Sequence, residues 1–241
     1  MKYILLSLWA LLLSAPACLL KAQDDAPKVG GNYDYVSDVK IDAVIFRGPV
    51  YVKYPYTLRG TPYAYSNDFK EGRLRYNSKE YKSVMLNLDA SRDELHLKVH
   101  ETQLTIVVDK EYVSDFSYGG HNFINVAGDR SIAGIEEGYY EVLYKGDVTL
   151  LKKTLQKFSN SSGVDVAAGA TSLKQFVTRH YYYMVTDGVA IQVKKRGDFM
   201  KNYKEKRNAI KQFIKSNGLN LLGKESEDMV FSRIMEFIDK N

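Results

Sequence analysis

Two neighbouring runs, Tyr81 to Leu88 and Leu95 to Val99, constrain this chain most. In the first, Val84, Leu86 and Leu88 alternate with Ser83, Met85 and Asn87, and in the second Leu95, Leu97 and Val99 alternate with His96, Lys98 and His100. A period of two places one set of side chains on each side of an extended strand, so each run predicts a strand with an apolar face. The polar stretch Asp89 to Glu94 between them is short enough to be a turn.

The same texture extends in both directions. Val39 to Phe46 and Val50 to Tyr54 read as strands broken by Arg47-Gly48-Pro49 and by Pro55. Gly72 to Tyr76 leads through a turn at Asn77-Ser78-Lys79-Glu80 into the first alternating run, and Leu104 to Val108 continues it, so residues 72–108 predict an antiparallel meander. Further strands fall at Phe123 to Val126, Tyr139 to Tyr144, Val148 to Leu155, Phe176 to Val185 and Val189 to Lys194, with a polar loop over 159–172. At Gly197 the period changes. Phe199 to Lys215 lacks Gly and Pro and repeats apolar residues at helical spacing, with Asp198 as its N-cap and Asn217-Gly218 as its stop. A second amphipathic stretch runs from Ser226 to Asp239.

Neither stripe can be buried alone, so the expected fold is mainly β, α+β in class. It is an antiparallel meander sheet, a sandwich or a partly closed barrel, over 39–196, followed by a C-terminal pair of amphipathic helices over 197–241 that packs on the sheet.

The N-terminus predicts the address. Lys2 precedes an apolar run, Tyr3 to Leu13, which Ser14 and Pro16 interrupt before it is long enough to span a membrane. Residues 1–22 read as a cleaved signal peptide, with Gln23 as the first mature residue and 23–38 as a flexible arm. Ala15-Pro16-Ala17-Cys18 offers a competing event, acylation of Cys18, but lacks the Leu a lipobox carries three positions before the cysteine. Cleavage takes Lys2 and Lys21 and lowers the formal charge of +5 to +3, and it removes Trp9 and Cys18, the sole Trp and Cys. The mature chain then has neither a transmembrane span nor a disulfide, and its modest charge argues against a nucleic-acid partner. The expected location is the periplasm, the outer membrane or the medium.

The run Gly60-Thr61-Pro62-Tyr63-Ala64-Tyr65-Ser66-Asn67-Asp68-Phe69-Lys70-Glu71-Gly72, the meander, Tyr140 to Gly146 and the closing helices together resemble a group of secreted proteins of Bacteroidota. In that group an aromatic, often Trp, stands where this chain has Phe69. The resemblance implies an envelope address and carries no catalytic residue.

Motifs for chemistry are sparse. There is no nucleophile elbow, zincin motif, dinucleotide fingerprint or phosphate-binding loop, so no catalytic residue, cofactor or metal is expected. His96 and His100 lie four apart, which on a strand is about 13 Å; one zinc cannot bridge them, and both are expected on a solvated face beside Lys98. His121 sits in a loop after Gly119-Gly120, where backbone can approach a ligand. Nineteen tyrosines suit cross-strand pairs or contacts with flat ligands. The candidate binding residues are therefore Tyr51, Tyr54, Tyr56, Tyr63, Tyr65 and His121, and Lys204, Lys211 and Lys215 form a candidate contact with an anionic surface. The expected function is a non-enzymatic envelope module that binds another protein, a glycan or a lipid. The alternatives are a hydrolase of envelope glycan or lipid using His121, and a carrier holding an apolar ligand inside a closed sheet.

Overall fold

The computed structural model describes residues 32–34, 44–54, 59–99, 102, 104–161, 173–219 and 226–241. Tyr56, His100, residues 39–43 and most of the polar loop lie outside them.

Among the described residues, eleven strands form one sheet. They are β1 (Asn32–Asp34), β2 (Lys70–Tyr76), β3 (Lys79–Asp89), β4 (Glu94–Lys98), β5 (Thr105–Val107), β6 (Val113–Tyr118), β7 (His121–Val126), β8 (Gly138–Lys145), β9 (Thr149–Ser161), β10 (Leu173–Thr186) and β11 (Val189–Val193). The order is β11-β10-β9-β8-β7-β6-β2-β3-β4-β5, antiparallel throughout. Two meanders, β2 to β5 and β6 to β11, thus join where β6 pairs with β2. The short β1 runs parallel to β3 over the part that β4 does not reach.

The sheet curls without closing into a barrel. Gln156 of β9 donates its backbone N–H to Ala90 O at 3.2 Å, although β9 and β3 are five places apart in the strand order. Inside the curl pack Leu74, Val84, Leu86, Leu95, Leu97, Val113, Phe116, Phe123 and Tyr139. A second core lies under the helices, where Leu150, Tyr182, Met184 and Val193 of the sheet meet Phe199, Ile210, Phe231, Ile234 and Ile238.

Local departures from regularity explain where simple alternation fails. Asn77 and Ser78 both have positive φ, 48° and 62°, the two-residue turn that matches strand twist, so β3 starts at Lys79 rather than Tyr81. In β3 the register slips against β2 between Tyr81 and Val84, and Ser83 has φ 54°. This bulge lets Tyr81 and Val84 enter the same core although they are three apart. Gly72, opposite, has room for no side chain, since a Cβ there would lie 2.0 Å from Ser117 O.

Several expectations are corrected. Residues 44–46 form a 3-10 turn instead of a strand end, with Ile45 1% exposed in the core. Val50 to Tyr54 makes only a bridge at Val50, because Pro49 and Pro55 supply no N–H for a ladder. The expected helix over 199–215 is two, α1 (Arg196–Asn202) and α2 (Arg207–Ser216), separated where Tyr203 leaves helical geometry at φ −117°, ψ 68°. The break lets α1 pack beneath β11 while α2 packs on α3 (Glu227–Lys240). Asp198 lies inside α1 and not at its cap, accepting the backbone N–H groups of Lys194 and Lys195 at 2.9 and 3.1 Å. These bonds hold its carboxyl below the usual range. Gly218, at φ 61°, ends α2 as expected. Ser226 caps α3, its hydroxyl accepting from Met229 N.

Both outer edges of the sheet are partly covered. Tyr51 N donates to Thr105 O and Val107 N to Pro49 O along β5. Along β11, Ala190 N donates to Ala133 O at 2.7 Å and Ala133 N to Gly188 O at 2.9 Å.

Candidate functional site

Strands β8 and β9 pair only from Lys145/Thr149 to Glu141/Lys152. Beyond that point they part, and the β3–β4 turn enters the fork. Asp93 there accepts the backbone N–H of Tyr139 at 3.3 Å and the ammonium of Lys153 at 2.6 Å, with Lys110 as a third partner.

At the tip of the fork, on the face shared by the two cores, lies a polar cluster from six elements. Lys152 Nζ is 2.6 Å from Glu141 Oε2, 2.6 Å from Asp228 Oδ2 of α3 and 3.1 Å from Tyr65 Oη. An ammonium has three protons, and here each has an acceptor. Glu141 also accepts the Tyr65 hydroxyl and His121 Nδ1, the latter at 2.6 Å. Tyr182 donates to Asp228 Oδ1 at 2.8 Å. The Tyr65 and His121 rings stack, their centroids 3.7 Å apart and 19° from coplanar.

The burial is uneven. The Lys152 and Glu141 side chains are 1% and 6% exposed, whereas those of His121 and Asp228 are each 34% exposed. Burial pushes the Glu141 carboxyl up, but its bonds to His121, Lys152 and Tyr65 outweigh that and hold it below its ordinary value. An ionised Glu141 can only accept, so His121 donates to it from Nδ1. Tyr65 and Tyr182 stay protonated well beyond neutral pH, chiefly through desolvation and then through the carboxylates beside them.

Tyr65 and His121 were thus expected from sequence and are brought together. Glu141, Lys152, Asp228 and Tyr182, which join them, were not singled out. Their signal was parity: Glu141 falls in step with core-facing Tyr139 and Leu143, and Lys152 with Val148 and Leu150.

The other tyrosines gather elsewhere. Tyr51, Tyr54 and Tyr63 close over the β3–β4 end, where Tyr51 packs on His96 with centroids 4.4 Å apart and Tyr54 donates to Asp89 Oδ2 at 2.8 Å. His96 overturns its expected place on a solvated face. It is fully buried, because the loop carrying Tyr51 and Tyr63 covers the second face of β4, and desolvation lowers its pKa to about 4. His180 meets Thr154 across the β9–β10 ladder at 3.2 Å.

Lys204 is on the turn between α1 and α2, so it does not share a helix with Lys211 and Lys215, which lie one turn apart on α2; all three are exposed. Residues 194–215 hold nine basic side chains against two acidic ones, Asp198 and Glu205. Between α1 and α2 a depression of about 290 Å³ has a rim of Lys195, Arg196 and Lys211 and a floor of Met200 and Ile214. A larger depression of about 680 Å³ crosses β2, β6, β7 and β8 and shares no side chain with the Lys152 cluster.

No protein-family model, curated protein or solved structure matches the chain. Function therefore has to be argued from these sites alone.

Proposed function

We propose that the protein is an exported envelope component that binds rather than catalyses, docking on anionic lipid headgroups through α1, α2 and the turn between them. The observation that carries this reading is the surplus of nine basic over two acidic residues in 194–215, with Lys194, Lys195, Lys201, Lys204, Arg207, Lys211 and Lys215 all exposed. A basic side chain near an anionic bilayer contributes about 1 kcal/mol, so several acting together hold a protein at the surface. The depression between the helices adds an apolar floor under a cationic rim. The saturated Lys152 cluster supports a structural role for that site, since each ammonium proton already has an acceptor.

The test is flotation with phosphatidylcholine vesicles, with and without phosphatidylglycerol. Binding should require the anionic lipid, weaken as salt rises and disappear in the double variant Lys211→Glu, Lys215→Glu. Equal binding to neutral vesicles, or a variant that floats like the parent, sinks this reading.

The His121–Glu141 pair supports a second reading, the hydrolase. A carboxylate orients a partly exposed imidazole, the arrangement of a general base acting on water. Release of soluble products from envelope glycan or phospholipid, abolished by His121→Gln, would favour it. The carrier reading has no closed sheet to rest on.

A further inference from the structure

The end of the β3–β4 hairpin places two carboxylates and an imidazole together. Asp89 and Glu94 are directly opposite in the antiparallel register, and His96, two residues beyond Glu94, points from the same face. One ligand atom from each of the three lies within 4.8 Å of the others. Like charges directly opposite on a ladder repel unless something neutralises them. Asp89 is fully buried, which raises the cost of that repulsion. The cation at hand is Arg92, 4.0 Å from Glu94 Oε2, but its guanidinium is already engaged with Val52 O at 3.0 Å and with the Tyr54 ring at 4.1 Å. One arginine against two carboxylates leaves a net negative charge.

We infer that Asp89, Glu94 and His96 form a binding site for a divalent metal ion, with zinc the ion whose ligand chemistry they match best. Bonds of about 2.0 Å in a tetrahedron set ligand atoms about 3.3 Å apart, and His96 Nε2 is 3.3 Å from Glu94 Oε2. Asp89 already has its supporting contacts. Its Oδ1 accepts the backbone N–H groups of Ser91 and Arg92 at 2.9 and 3.0 Å, and Tyr54 holds Oδ2. His96 has a partner on its other nitrogen, with Nδ1 3.3 Å from Tyr63 Oη. Without metal, Nε2–H donates to Glu94 and Nδ1 accepts from Tyr63. With metal the ring takes the other tautomer, so that Nε2 ligates and Nδ1–H donates to Tyr63. Glu94, 33% exposed, is the side from which an ion enters. Three protein ligands leave a fourth position for water or a ligand atom.

Zinc chloride titrated calorimetrically into the metal-free mature chain should bind one equivalent, and the His96 ring should change tautomer by nitrogen-15 NMR. Glu94→Gln should weaken binding more than about 100-fold and Tyr63→Phe by about 10-fold or more. Glu94 is a third exposed, so its variant keeps the fold even if His96→Asn does not. The inference is overturned by absence of stoichiometric binding, by unchanged affinity in Glu94→Gln, or by binding that leaves the His96 tautomer as it was.

Discussion

Lys152, in the first half of β9, holds Asp228 of α3 at 2.6 Å while its own side chain is 1% exposed. The contact ties the C-terminal helix to the sheet at the point where the β8–β9 ladder ends. Removing the ammonium leaves the buried Glu141 carboxylate without its lysine partner. Lys152→Met should therefore lower stability by about 3 kcal/mol, and Asp228→Asn, at a position a third exposed, by about 1 kcal/mol. Urea unfolding midpoints at constant slope measure both. A Lys152→Met protein as stable as the parent would show that the cluster does not pin the helix.

Glu141 makes this cluster sensitive to acid. Its folded carboxyl titrates below the ordinary value of a glutamate because His121, Lys152 and Tyr65 outweigh the effect of burial. A depressed acid stabilises the fold above the unfolded value, and that contribution disappears as pH falls through the folded one. The stability gap between the parent and Glu141→Gln should stay constant above about pH 5 and shrink below. Unfolding curves from pH 7 to 3 read the gap, and a gap that persists at pH 3 contradicts the assignment.

The turn at Asn77-Ser78 needs a positive φ at both positions, and Ser78 supplies 62°. Ser78→Gly should raise stability by about 1 kcal/mol, because a residue with Cβ is strained there. Gly72→Ala should do the reverse, costing about 1–3 kcal/mol by forcing Cβ against Ser117 O. Thermal melts of the two variants should move in opposite directions.

If the proposed export holds, mass spectrometry of the protein recovered from its host should find Gln23 as the first residue and no acyl group. A terminus at Cys18 carrying lipid would replace the headgroup contact with a covalent anchor as the main membrane attachment.

Much of the fold was legible because most strands keep an unbroken period of two. Strand β6 was missed for the opposite reason. Its register slips beside Ser114, so Val113, Phe116 and Tyr118 enter the core at spacings of three and two. The break between α1 and α2 was also hidden, since Tyr203 continues the apolar stripe that its backbone interrupts. At the polar cluster, Tyr65 and His121 stood out by residue type and by the glycines near them. Glu141 and Lys152 sat inside runs read for their apolar neighbours. Their pairing depends on the β8–β9 register, which is a property of two strands together. His96 likewise acquired its surroundings from a loop that folds back over β4.

The partly covered sheet edges narrow how this molecule can meet another. A partner chain that extends a sheet by adding a strand needs a row of free backbone donors and acceptors along an edge. On β5 the stretch around Val50 already occupies that row, and on β11 Ala133 takes the place beside Ala190 while Asp198 takes Lys194 N. Between these two contacts lies the short stretch of β11 around Gln192. Recognition at these edges therefore falls to side chains, where single substitutions can retune it without rebuilding the sheet.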